Sequence, residues 1–332
     1  MHPLLSSYSS GHGKPSPKRL VQMLGEALRK QQDQWKPKVY RTPLNEEVEV
    51  GPEIRDKIIS WLAQLNKHYR FHPETVVLSA VILDRFLSVV KARPKYLRCI
   101  GIACFYLAAK TLEEDEVVPS TLDFVQKSAC GCSVAEVLRM ERLILDKLQW
   151  QLMQPTAVDF LHIFHAAVMS KCPHLLDHVP HVTPSRQLTI LTEKVLRCVG
   201  SHRFLSFKPS TMAVALVSLE LEQFTTDWLA ATLWLQALSK TEQQDLISCR
   251  EQISSFLSAD RCPSLTYLGT PTKATKRKMD DMEEEDDTDM YEGIKRLYNE
   301  DADGSQIIAT AVCASDLAQD HISARPMTAV AI

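Results

Sequence analysis

Between residues 18 and 260 apolar positions return every three or four residues, and prolines punctuate the pattern. Lys18–Trp35 carries Leu20, Met23, Leu24, Ala27 and Leu28 on one stripe, which predicts an amphipathic helix. A polar, proline-containing stretch (Lys36–Pro52) reads as linker. Ile54, Ile58, Trp61, Leu62 and Leu65 then recur at helical spacing. Pro73 opens a helix through Val77, Leu78, Val81, Ile82, Phe86 and Leu87, and Pro94 opens the next, because a proline at the first turn removes an N–H that has no partner anyway. The run Cys99–Ala109 is apolar on nearly all sides, as expected of a central helix, and its Gly101, Ala103, Ala108 and Ala109 permit close neighbours. A short helix is predicted over Thr121–Ser128. Another begins after Ser133, with Glu136 three residues on forming a capping-box pattern.

A second set of helices follows: Pro155–Met169, Pro184–Val199, Pro209–Phe224, Asp227–Ala237 and Thr241–Leu257. Pro209–Phe224 is again apolar and rich in small residues, like Cys99–Ala109, so the body reads as a five-helix unit repeated, joined near 151–155. No strand pair with a hairpin turn signal appears, and the predicted class is all-α. Glycine supports this, at 10 in 332 residues, below the usual share of about 7%. The expected division is 1–17 disordered, 18–49 N-terminal helix and linker, 50–152 first repeat, 153–260 second repeat, and 261–332 disordered acidic tail.

Charge separates the tail from the body. From Arg261 onward there are 8 Lys/Arg against 14 Asp/Glu, whereas residues 1–260 hold 30 against 27. Eight of the ten residues 280–289 are acidic, a composition that cannot bury enough surface to fold alone. The body has no basic face that would call for nucleic acid, and no apolar run long enough for a membrane span. The N-terminus lacks a basic region followed by an apolar run, so no secretory leader is expected. Nine irregularly spaced cysteines read as reduced thiols of a cytoplasmic or nuclear protein.

Catalytic and metal chemistry finds little support. His162 and His165 share a helix face with Asp159 one turn earlier, but helix spacing supplies two zinc ligands at best, and a structural role is expected. Cys130-Gly131-Cys132 lacks the two-residue gap of a redox or zinc pair. Gly11-His12-Gly13-Lys14 lacks the first glycine and the preceding strand of a phosphate loop. No nucleophile–base pairing or kinase signature is present, so no catalytic residue, metal or cofactor is expected. More telling are charges set inside apolar helices: Arg55, Asp84, Lys110 and Glu141. A charge hemmed in by apolar residues pairs internally or lies at an interface.

Four segments carry a resemblance. Ile54–Leu62 (IRDKIISWL), Leu83–Leu87 (LDRFL), Leu107–Asp115 (LAAKTLEED) and Val137–Trp150 (VLRMERLILDKLQW) together resemble a cyclin box, in order and within about 100 residues. Phe160–Ala166, the CGC loop and the acidic tail are similar to the G/I group of cyclins, and nearest to its I-type members. The resemblance implies a cyclin fold of two tandem five-helix repeats. It also implies a non-catalytic regulatory subunit that binds and activates a cyclin-dependent serine/threonine kinase, in cell-cycle control or related survival and differentiation signalling. The group points to an atypical, neuronal-type kinase before the cell-division kinases. Carried over by position, Lys110 and Glu141 match the family's kinase-contacting Lys and Glu, and Arg55 and Asp84 its internal ion pair. Trp150 stands where cyclins place an aromatic near the kinase surface, and equally where a core aromatic would close the helix. The family's substrate-docking strip reads Met-Arg-Ala-Ile-Leu. Here Ile54, Ile58 and Trp61 keep the patch apolar while Lys57 intrudes, which sets recruitment of Arg-x-Leu substrates in question. Together with Cys99 and Thr111, both departures from the family pattern, Lys57 favours a second reading, a cyclin-fold scaffold that binds a partner without activating a kinase.

Ser16 and Thr270 each precede a proline and a basic residue two positions further on, marking candidate phosphosites. Lys276-Arg277-Lys278 is a candidate nuclear-import cluster, so nucleus and cytoplasm are the expected locations.

Overall fold

The structure, a computed structural model, describes residues 16–41, 45, 49–176 and 182–259. Thr270, Lys276–Lys278 and the acidic tail lie outside the described residues. Eleven α-helices and two short 3₁₀ turns make up the regular structure among the described residues, and no strand occurs there. They are α1 (Pro17–Gln34), α2 (Pro52–Tyr69), α3 (Pro73–Val89), α4 (Leu97–Leu112), α5 (Thr121–Ser128) and α6 (Val134–Lys147). A second series follows as α7 (Ala157–Lys171), α8 (Pro184–Gly200), α9 (Pro209–Phe224), α10 (Trp228–Ser239) and α11 (Gln243–Ala259).

Helices α2–α6 surround α4, and α7–α11 surround α9 in the same manner. Each hub follows a 3₁₀ turn, Pro94–Tyr96 before α4 and His202–Phe204 before α9. The first of these differs from the sequence expectation: Pro94 opens a 3₁₀ turn, and the α-helix starts at Leu97. Both hubs are nearly charge-free and buried almost throughout, so the surrounding helices each present one apolar stripe to them. Gly101 of α4 allows the tightest approach: a Cβ there would stand 2.9 Å from Ile58 Cγ2 and 3.8 Å from the Trp61 ring.

Local signals act as read. Ser133 and Glu136 form a full capping box on α6, with the Ser133 N–H donating to Glu136 at 2.6 Å. Thr156 and Asp159 form another on α7. Ser16 caps α1, which therefore starts at Pro17, one residue before the expected boundary. Helix α1 packs on α7 of the second repeat. The Gln31 amide donates to Ser210 Oγ and accepts from the Ser210 N–H, both at 2.9 Å, across 179 residues of sequence.

The repeats are joined by α3 and α2 against α8. At that junction lies Arg55, fully buried. Its Nε and Nη2 donate to the two Asp84 oxygens at 3.0 and 2.7 Å. Its Nη1 donates to Asp56 at 3.1 Å and to the Val199 and Gly200 carbonyls at 2.9 and 3.1 Å. Those carbonyls are the last of α8 and have no intrahelical donor, so Arg55 also caps the negative end of that helix. Burial alone would lower its pKa, yet Asp84 more than offsets this and holds the guanidinium charged. Asp56 in turn accepts from the backbone and ring of His202 at 2.9 and 2.8 Å.

The stretch 36–41, read from sequence as linker, lies against this junction. The Lys38 N–H donates to the Leu205 carbonyl at 3.3 Å, and Tyr40 Oη donates to Asp84 at 2.9 Å. Burial pushes the Tyr40 hydroxyl well above its ordinary range, with Asp84 adding to the shift.

Candidate protein-docking site

Lys110 lies in the last turn of α4 and Glu141 midway along α6, 31 residues apart. Because α6 packs along α4, the ammonium reaches the Glu141 Oε1 in a direct ion pair. The Lys110 Nζ also sits 4.6 Å from the centre of the Tyr106 ring, a cation–π contact from the preceding turn. Lys110 is 38% exposed and Glu141 12%. The second Glu141 oxygen, Oε2, is buried and has no hydrogen-bond partner among the described residues.

After α6 the chain turns through two consecutive left-handed residues, Gln149 at φ 51° and Trp150 at φ 59°. Left-handed backbone costs a non-glycine residue about 1–2 kcal/mol. Here the turn carries the Trp150 N–H back to the Leu145 carbonyl at 2.9 Å and throws the indole outward, 72% exposed. Of the two roles open in the sequence, the core aromatic is therefore excluded. Lys110, Glu141 and Trp150 line one open groove, whose apolar floor includes Leu107, Leu145 and Met153. Thr111 lines it too, its hydroxyl turned back to the Leu107 carbonyl at 2.7 Å.

The second cluster expected from sequence is found on α2. Ile54 and Trp61 are half-buried, Ile58 is buried and Lys57 is exposed. Arg98, at the start of α4, lies over the Trp61 ring at 5.5 Å, a partner that the sequence did not single out. Its signal was a lone basic residue at the mouth of an apolar helix. Arg55 and Asp84 are joined as the internal pair, away from both surfaces.

His165 is buried with its Nε2 3.2 Å from Gln187 Oε1, and burial lowers its pKa. His162 Nε2 lies 3.8 Å from Glu74, and burial lowers its pKa as well. No group of three potential metal ligands converges among the described residues. The described cysteines are all free, with the Cys130 and Cys132 sulfurs turned to each other's carbonyls. No helix among the described residues is long and apolar enough to cross a membrane.

Residues 25–153 match the family model for the cyclin N-terminal domain. Human Cyclin-I2 is 36% identical over 64% of this chain and 57% of its own length. Human Cyclin-G2 is 32% identical over 73% of this chain and 71% of its own. Among solved structures, a viral cyclin from herpesvirus saimiri superposes with a TM-score of 0.54 at 19% identity, over 73% of this chain and all of its own. The two five-helix repeats are thus the cyclin fold. The chain belongs to the cyclin family, within its G/I group.

Proposed function

We propose that this chain is the regulatory subunit that binds and activates a cyclin-dependent serine/threonine kinase, through the groove of Lys110, Glu141 and Trp150. The observation that carries the reading is the exposed Trp150 indole beside the accessible Lys110 ammonium, in one open groove with an apolar floor. Together they offer a partner a donor and about 150–250 Å² of aromatic surface, the combination enriched in interface hot spots. A kinase helix laid in this groove would be held with its catalytic Lys–Glu pair closed, so that ATP phosphates and magnesium align. The neuronal, atypical kinases are the first candidates, with action in nucleus and cytoplasm.

The test is affinity purification from cells with the wild type beside Lys110→Glu/Glu141→Lys. The swap keeps an ion pair between α4 and α6 while inverting the charges that a partner meets, so matched thermal melts are expected. Recovery of a kinase with histone- or tau-directed activity by the wild type alone supports the reading. Kinase recovery indifferent to the swap, or absent, overturns it in favour of the scaffold role.

A further inference from the structure

The strip on α2 carries a charge pattern that its apolar residues alone do not explain. Ile54, Lys57, Ile58 and Trp61 fall on one side of the helix at i, i+3, i+4 and i+7. The bare Cα of Gly101 lets Ile58 and Trp61 settle onto α4, which forms an apolar floor. Over that floor stand two cations. Arg98 stacks on the Trp61 face, and Lys57 is exposed one turn before Trp61. Neither is neutralised among the described residues. The two acidic residues of α2 are Asp56, held by Arg55 and His202, and Glu53, which makes no ion pair with Lys57.

We propose that this strip docks an acidic peptide segment of a partner protein, one carrying a leucine or aromatic side chain beside its carboxylates. The apolar side chain would rest on Ile54, Ile58 and Trp61, and the carboxylates would meet Lys57 and the free edge of the Arg98 guanidinium. A peptide bearing arginine, the motif expected of an apolar cyclin patch, would instead meet two like charges. Charge complementarity thus inverts the recruitment rule while keeping its hydrophobic anchor. The proposal does not depend on kinase binding, since the test reads peptide affinity for the full chain alone.

Fluorescence anisotropy with two labelled peptides, Glu-Asp-Glu-Leu-Phe and Arg-Lys-Arg-Leu-Phe, decides it. Two exposed charge pairs, each worth about two- to fivefold, give about a tenfold preference for the acidic peptide at low salt. That preference should shrink as salt rises past the screening range. Lys57→Glu/Arg98→Glu should reverse it, Lys57→Arg should keep it, and Trp61→Ala should weaken both peptides. Since Lys57 and Arg98 are exposed, the reversed variant is expected to melt with the wild type. Equal or tighter binding of the basic peptide, no binding of either, or a preference untouched by the double reversal overturns the proposal.

Discussion

Replacing Arg55 by alanine would strip the junction of its central donor. The guanidinium is fully buried and makes five hydrogen bonds, two to Asp84, one to Asp56 and two to the end of α8. Without it Asp84 remains buried with the Tyr40 hydroxyl, at 2.9 Å, as its chief donor. Removing one member of a buried ion pair costs about 3–5 kcal/mol, because the other is left an uncompensated charge. For a domain of this size that corresponds to a fall in Tm of about 6–20 °C. The experiment is urea unfolding followed by far-ultraviolet circular dichroism, with Arg55→Ala, Asp84→Leu and Arg55→Met/Asp84→Leu. The double variant removes both desolvation costs, so it should recover part of the loss. Full recovery is not expected, since the Val199 and Gly200 carbonyls stay without their donor at about 1–3 kcal/mol each. A loss under about 1 kcal/mol for Arg55→Ala, or a double variant as stable as wild type, would refute this account.

Lys38 gives a pH signature: burial lowers its pKa from 10.5 to about 8, partly opposed by Asp84. A lysine depressed in the folded state binds fewer protons than in the unfolded chain between those values, so its penalty is present at low pH and relieved as pH rises through that window. Stability measured against Lys38→Met should therefore gain about 1–2 kcal/mol from pH 8 to 9.5, and parallel curves would count against it. Gly101→Ala should destabilise by about 1 kcal/mol net in denaturant melts, the clash with Ile58 Cγ2 outweighing the gain in helix propensity. Trp150→Ala should change stability by less than about 0.5 kcal/mol, yet cut kinase capture in pull-downs about tenfold.

Periodicity and punctuation carried the helices. Thr121–Ser128 and Pro209–Phe224 stand where apolar spacing and flanking residues put them, and the Ser133–Glu136 box closes as its spacing implies. What stayed hidden depends on distance along the chain or on a local torsion. Trp150 could be core or surface until the left-handed pair at 149 and 150 turned it outward. Lys110 and Glu141 could both be singled out, but their pairing depends on the packing of α6 along α4. Lys38 and Tyr40 passed for linker because nothing local to 36–41 registers the buried Asp84 it packs against. Arg98 escaped notice because its partner, Trp61, lies on another helix.

The clasp between Gln31 and Ser210 bears on how the chain is made. Helix α1 leaves the ribosome well before α7 and α9, yet the surfaces that shelter its Leu20, Leu24 and Ala27 belong to α7 and, through Ser210, to α9. At a synthesis rate of about 5–20 residues per second, the 179 residues separating the clasp arrive roughly 10–35 s later. For that interval α1 carries an uncovered apolar stripe. Helix α1 is thus a segment that gains from a chaperone's cover until the second repeat has been made.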